Sequence, residues 1–256
     1  MRILHNDMFN NFPSIIFKNV SKKFFLQEDK TFKEALPSLL LGKPWAKEFS
    51  ALNDISFEIK CGETVGIVGN NGAGKSTILK LIAGVTVPTE GAIKVNGNVA
   101  PLIELGAGFH QELSGLENIY LNAAILGMHK KEIDLVIDKI IDFSGLAGFI
   151  HQPLKRYSSG MYTRLGFAVA VCVNAPILLI DEVLAVGDVG FQKKCLNHLK
   201  KIKQRKDKII IFVSHSEQSV KNFCERVILI NQGRLLDDGP AKIVFDKYHQ
   251  LNSEKV

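Results

Sequence analysis

The glycine-rich segment at residues 69–76 carries the clearest chemistry in this sequence. It reads Gly-Asn-Asn-Gly-Ala-Gly-Lys-Ser and fits the phosphate-binding pattern Gly-x-x-x-x-Gly-Lys-Ser/Thr in full. Its glycines let the backbone turn closely and point N–H groups inward, and a helix starting near Lys75 adds its positive dipole end. We expect Lys75 to reach the β- and γ-phosphates of a nucleotide and the Ser76 hydroxyl to bind Mg²⁺. The predicted nucleotide contacts are Gly69, Asn70, Asn71, Gly72, Ala73, Gly74, Lys75, Ser76 and Thr77.

The alternative is a glycine-rich turn that binds nothing. The surrounding sequence disfavours it, because a short β-branched apolar run at 64–68 leads into the loop and helical spacing follows at 77–83. The order strand, loop, helix is the one in which this pattern binds phosphate.

Two adjacent acids follow an apolar run later in the chain. Residues 177–180 are Ile-Leu-Leu-Ile, and Asp181 and Glu182 come directly after them. Ligands of open α/β sheets bind beyond the carboxyl ends of the strands. We therefore expect Asp181 to hold Mg²⁺ and Glu182 to polarise the attacking water. A buried strand that merely ends in acids is the alternative, and the phosphate-binding loop upstream favours the functional interpretation.

Length and composition limit the classes of protein. The chain has 256 residues, of which 46% are hydrophobic, so it can form one or two domains with a sizeable core. The net charge of +6 is compatible with nucleic acid, an anionic membrane surface or a nucleotide, or with solubility alone. The densest basic run, at 200–208, resembles the solvated end of a helix.

Cysteine spacing and hydropathy bear on the compartment. The four cysteines, Cys61, Cys172, Cys195 and Cys224, lie far apart without metal-ligand spacing, which indicates free thiols in a reducing cytosol. No signal peptide is evident. The most apolar region, 166–180, is shorter than the roughly 20 residues of a membrane span, so we expect the chain not to cross a membrane by itself.

Strand and helix patterns alternate along the chain, which predicts an α/β fold with a parallel sheet. Antiparallel additions are expected from the early strands and from a late hairpin around Gln232 and Gly233, with a helix-rich insert at roughly 117–159. Strands are predicted at 15–20, 55–59, 64–68, 92–95, 177–180, 209–213, 227–231 and 234–237, and helices at 32–40, 77–83, 117–147, 164–173, 192–203 and 218–224.

The segment 157–161, Tyr-Ser-Ser-Gly-Met, directly precedes the helix before the acidic strand. With the other motifs in order, the chain resembles the nucleotide-binding subunit of an ABC transporter, whose signature usually reads Leu-Ser-Gly-Gly-Gln. Ser158 and Gly160 are kept, whereas Ser159 and Met161 depart from the common form. The resemblance implies an α/β P-loop NTPase fold with a RecA-like parallel-sheet core, an antiparallel β subdomain and a helical subdomain. It also implies that Ser158 and Gly160 contact the γ-phosphate of ATP bound by another subunit.

The same resemblance assigns further residues. Asp188, in Ala-Val-Gly-Asp, matches the loop that crosses the dimer interface, and His215 matches the histidine that contacts the γ-phosphate. Phe24 matches the aromatic residue that stacks on adenine, with Phe25 as the competing choice. The family usually has a Mg²⁺-binding glutamine after the strand that leads to the helical insert. Glu104 stands there instead, and its carboxylate can still bind Mg²⁺, so we expect Glu104 to be a further metal ligand in place of the glutamine.

The departures point to one subfamily. The stretches 104–126, 157–161 and 182–188, and the segment 25–49 inserted before the phosphate-binding strand, resemble ATPases that export lipid-linked polysaccharides such as O-antigen, capsule or teichoic acid. The resemblance covers residues 15 to about 248. It implies one cassette at 14–250, a helical subdomain at about 110–165, terminal extensions at 1–13 and 251–256, and a short form without a carbohydrate-binding domain.

The resemblance further implies ATP and Mg²⁺ as cofactors, a head-to-tail homodimer, a separate membrane permease and no nucleic acid. It places the protein peripherally on the cytoplasmic face of a bacterial plasma membrane. Three alternatives remain: an ABC ATPase of another transporter type, a soluble ABC-type ATPase that acts on DNA or ribosomes, and a P-loop kinase. The signature and His215 disfavour the kinase.

Overall fold

A computed structural model describes residues 12–27, 46–102, 106–181, 187–214 and 216–253. The helix predicted at 32–40 lies outside these ranges. In the described part, no helix is both long and apolar enough to cross a bilayer.

A six-stranded sheet forms the centre of the described part, in the order β5-β6-β7-β3-β8-β9. The first five strands in this order run parallel to one another, and the sixth, β9, pairs antiparallel with β8. All residues of β3 and β7 are buried, because helices or a second sheet cover both faces of such a sheet. The strands are β3 (Thr64–Val68), β5 (Val99–Pro101), β6 (Ile177–Asp181), β7 (Ile209–Val213), β8 (Arg226–Asn231) and β9 (Arg234–Pro240).

A second, antiparallel sheet has the order β2-β1-β4, formed by β1 (Ser14–Gln27), β2 (Ala46–Lys60) and β4 (Glu90–Asn96). Ile55, Phe57 and Ile59 of β2 are buried and alternate with exposed residues, as in a half-buried strand. Pairing continues to Gln27 opposite Ala46, so both ends of the predicted insertion at 25–49 are strand. The late hairpin does not join this sheet, because β8 pairs with β3 of the central sheet.

Seven α-helices and two short 3₁₀-helices lie in the described ranges. The helical pattern predicted at 117–147 is confirmed as two helices, because Gly127 takes a positive φ of 91° and separates them. The sequence patterns predict neither β5 nor the last helix. The helices are α1 (Lys75–Ile82), α2 (Gly115–Ile125), α3 (Lys130–Ser144), α4 (Ser159–Cys172), α5 (Val189–Arg205), α6 (Glu217–Phe223) and α7 (Ala241–Ser253).

Two hydrophobic cores lie on opposite faces of the central sheet. Alternate residues of β6 enter different cores: Ile177 and Leu179 pack with the antiparallel sheet and α1, whereas Leu178 and Ile180 pack with the helices. Cys172, Cys195 and Cys224 are buried free thiols in the second core, as predicted, and burial raises the pKa of Cys195 and of Cys224 to about 12.

Arg226 joins the two sheets. Its guanidinium donates to both carboxylate oxygens of Asp238 at 2.7 Å, to the Glu58 carbonyl of β2 at 2.8 Å and to Glu63 at 3.1 Å. The hydrogen bonds to Asp238 raise the pKa of Arg226 further above its ordinary value. Such a bidentate, partly buried network contributes more than an isolated surface ion pair.

Arg226→Met should lower the free energy of unfolding by roughly 1–3 kcal/mol, because it removes the charged hydrogen bonds to three partners. Denaturant unfolding measures the change. Arg205→Met is the matched control, since Arg205 has one exposed partner, Asp207, at 2.7 Å. Equal unfolding free energies for the two variants would contradict a linking role for Arg226.

Candidate functional site

The phosphate-binding loop connects β3 to α1 and fits its surroundings only as glycine at two positions. Gly69 has a φ of +150°, and a Cβ there would lie 2.0 Å from the carbonyl oxygen of Ile230. Gly74 has a φ of +111°, and its Cβ would lie 2.7 Å from the Ala51 oxygen. Any side chain at either position would displace backbone. The predicted loop conformation is therefore also a packing requirement.

Backbone hydrogen bonds hold the loop from the β8–β9 turn. Gly233 N donates to Ala73 O at 3.0 Å, and the Gly233 carbonyl accepts from Asn53 N of β2 at 2.7 Å. The turn therefore connects the loop with the antiparallel sheet. This contact gives no local signal in the sequence, because it joins residues 160 positions apart (233 minus 73).

Lys75 lies at the N-terminus of α1 and is 7% exposed. Its Nζ donates to Gly69 O at 2.8 Å and to Asn70 O at 3.1 Å, so the ammonium lies inside the loop. The helix N-cap, Gly74, offers no side-chain hydrogen bond, which leaves the first-turn N–H groups for an anion.

A cavity of about 280 Å³ lies beside this helix end. Ser76 and Asp181 both line it, as the predicted Mg²⁺ ligands require. Asp181 stands opposite Val213 in the β6–β7 register, so the ends of both strands meet there. The remaining lining residues are Phe49, Ala51, Asn71, Gly72, Ala73, Gly74, Lys75 and Thr77. Glu104, Glu182 and His215, predicted for this site, lie outside the described residues.

Phe49 is an aromatic residue at this cavity that sequence reasoning missed. It is 50% exposed and pairs directly with Phe24 across β1 and β2. Cross-strand partners project to the same face of a sheet, whereas the next residue, Phe25, projects to the other. The register therefore favours Phe24 over Phe25 as a neighbour of this cavity.

The predicted signature residues line a separate cavity of about 590 Å³. Ser158 caps α4 and accepts a hydrogen bond from Met161 N at 3.2 Å, with Gly160 in the first turn. Asp188 caps α5, accepting from Phe191 N at 2.9 Å. Gly187 and Asp188 line the same cavity, and within the described ranges no residue lines both cavities. The signature and the phosphate-binding loop therefore line different cavities of the chain.

Arg164 links the signature helix to Asp188, another contact that sequence reasoning missed. Its guanidinium donates to the Asp188 carboxylate and lies over the Phe191 ring, 5.4 Å from the centroid. The sequence does hold a signal for this contact, because Arg164 is the one charged residue in α4, whose other residues are apolar or neutral.

Comparison with known proteins agrees with this geometry. The sequence profile described as ABC transporter matches residues 52–185, from β2 to just beyond Asp181. This chain belongs to the ABC transporter family. As a member of that family it is an ATP-binding ATPase, which confirms the prediction made from the loop and the signature.

The relatives of this ABC ATPase include two O-antigen export system ATP-binding proteins RfbB from Klebsiella pneumoniae. They are 44% and 48% identical to it over 93% of this chain and 98% of theirs. The teichoic acids export ATP-binding protein TagH of Listeria innocua is 44% identical over 93% of this chain and 70% of its own length.

Among solved structures, the dimeric ATP-binding cassette MJ0796 in a post-hydrolysis state bound to ADP and Pi matches with a TM-score of 0.69. It is 23% identical and covers 89% of this chain and 98% of its own. At that identity the match concerns the fold, and it confirms the predicted ABC ATPase architecture.

Gly69→Ala should abolish ATP binding by this ABC ATPase and lower its stability by more than about 2 kcal/mol, because the new Cβ meets the Ile230 carbonyl. Thermal unfolding and titration with a fluorescent ATP analogue measure both effects. Gly148→Ala is the control, since a Cβ there meets nothing within 4 Å. Wild-type ATP affinity in Gly69→Ala would refute this account of the loop.

Proposed function

We propose that this chain is the ATP-hydrolysing subunit that powers export of a lipid-linked polysaccharide through a separate membrane permease. The proposal is supported chiefly by the 44–48% identity, over nearly the whole chain, to proteins named for O-antigen and teichoic acid export. An ABC ATPase of another transporter type is the alternative. The departures from the common signature at Ser159 and Met161 favour polysaccharide export over it.

The first cavity suits ATP with Mg²⁺. Lys75 and the open first turn of α1 supply positive charge for the phosphates. The Ser76 hydroxyl and the Asp181 carboxylate supply the oxygen ligands that Mg²⁺ prefers. Bound Mg²⁺ would neutralise charge on the phosphate oxygens. Glu104 remains a predicted further ligand, and Phe24, next to Phe49, remains the predicted adenine contact.

The separation of the two cavities suits a site shared between two copies of the chain. In a head-to-tail pair, ATP held by residues 69–77 of one copy would meet Ser158 and Gly160 of the other. The γ-phosphate would then contact both copies, so ATP would close the pair and ADP would not. Closure of the pair would be transmitted to the permease at the cytoplasmic face of a bacterial plasma membrane.

Glu182 is the proposed acceptor for the attacking water, and His215 the proposed γ-phosphate contact. Glu182→Gln should bind ATP as the wild type does and lose turnover, because an amide is a far weaker base. In cells that lack the gene, the wild type should restore the surface glycan and Glu182→Gln should not.

Glu225→Gln is the control, since Glu225 is exposed and paired only with Lys203 among the ion pairs described. Hydrolysis by Glu182→Gln at the wild-type rate would exclude Glu182 as the base. Unchanged surface glycan in cells without the gene would instead exclude the export function and leave the ATPase assignment intact.

Mixing two inactive variants tests the shared site. Lys75→Ala removes the phosphate contact, and Gly160→Asp places a carboxylate at the signature, where a Cβ meets only Ser158 Oγ at 3.9 Å. A mixed pair keeps one intact site, so the mixture should hydrolyse ATP although neither variant does alone. Gly148→Asp mixed with Lys75→Ala controls for added charge. No activity in the Lys75→Ala and Gly160→Asp mixture, despite formation of mixed pairs, would refute the shared site.

A further inference from the structure

The last helix, α7, returns to the phosphate-binding loop after the final strand. Val244 and Phe245 are buried in the core that the helices form on one face of the central sheet. Ala241 N donates to Glu225 O at 3.3 Å. Lys247 Nζ donates to Leu236 O of β9 at 2.9 Å. The helix is therefore held at its start and middle by contacts that involve no part of the ATP site.

Tyr248 extends from this anchored helix to the loop itself. Its hydroxyl donates to the Asn70 side-chain oxygen at 2.9 Å, across 178 positions of sequence. The Phe245 ring, 6.3 Å away in an edge contact, fixes the direction of the tyrosine ring. A rigid, half-buried donor thus reaches the second residue of the phosphate-binding loop.

Asn70 connects this contact to the phosphate-binding lysine. Its backbone carbonyl accepts from Lys75 Nζ at 3.1 Å, while its side chain accepts from Tyr248. A single residue therefore bonds with the last helix through its side chain and with Lys75 through its backbone. Contacts that limit the movement of Asn70 therefore also limit the movement of the loop segment before Gly72.

The next residue of α7 contacts a second segment near the site. His249 Nε2 lies 2.8 Å from Glu217, the first residue of α6, and Lys221 donates to the same carboxylate at 2.5 Å. The hydrogen bond from Lys221 lowers the pKa of Glu217. Glu217 follows the end of β7, so neighbouring residues of α7 contact the segments beyond both β3 and β7.

We propose that Tyr248 is a positioning residue for ATP: its hydroxyl preorganises Asn70 and the phosphate-binding loop, which makes the last helix part of the nucleotide site. A loop already held in its bound conformation loses less conformational entropy when the ligand binds. Displacing α7 would accordingly weaken ATP binding. The inference rests on the proposed location of ATP at residues 69–77, and not on the exported substrate.

The test compares ATP affinity and turnover of the full chain in Tyr248→Phe, Asn70→Ala and the double variant. Tyr248→Phe should raise the Kd and KM for ATP about two- to tenfold, the range for one hydrogen bond, with little change in kcat at saturating ATP. The double variant should bind no more weakly than the weaker single variant, because both changes remove one contact.

Tyr120→Phe is the matched control: it also removes a tyrosine hydroxyl bonded to a side chain, Asp134 at 2.6 Å, but on α2. The free energy of unfolding, measured without nucleotide, shows whether a variant changes the stability of the fold as well as its affinity for ATP. Wild-type affinity in Tyr248→Phe, or additive effects in the double variant, would overturn the proposal. Lys75→Ala distinguishes failure of the Tyr248 proposal from failure of the proposed ATP site. If Lys75→Ala binds ATP normally, the proposed ATP site itself is wrong.

Discussion

The arrangement of this protein depends on how closely the phosphate-binding loop approaches the end of β8. The Cβ of a side chain at Gly69 would lie 2.0 Å from the Ile230 carbonyl oxygen. The loop can therefore take this conformation only with glycine at position 69. Since β3 lies between β7 and β8, the same placement brings the end of β7, and that of β6 beyond it, to the loop. Steric fit thus places Asp181 near Ser76 before any charge is considered.

Electrostatics then divide the site into two halves. The loop contributes a buried ammonium and an uncapped helix N-terminus, while the signature offers a second helix N-terminus in another cavity. Each is a proposed anion site, because each carries the positive end of a helix dipole. In the proposed head-to-tail pair, a triphosphate would touch surfaces of two chains, which fits the two sets of motif residues lining different cavities.

Local patterns could predict much of this structure. Strands β3 and β7 match their predicted bounds because they are short buried runs rich in β-branched residues, and the loop carries its own signal. Tertiary contacts could not be predicted. Phe49, Gly233 and Tyr248 reach the loop from distant segments, and the break at Gly127 depends on one backbone conformation. Glu104, Glu182 and His215 remain predictions.

The signature helix α4 is also connected to the segment after β5. Tyr162 of α4 donates to Gly106 O at 3.0 Å, and its ring meets Phe109 edge-on at 5.2 Å. Gly106 has no room for a side chain, since its Cβ would lie 2.5 Å from the Tyr162 ring. A movement of this segment must therefore move α4, whose first turn carries Ser158 and Gly160, or break the Tyr162 contact. Either outcome would couple this segment to Ser158 and Gly160 at the start of α4.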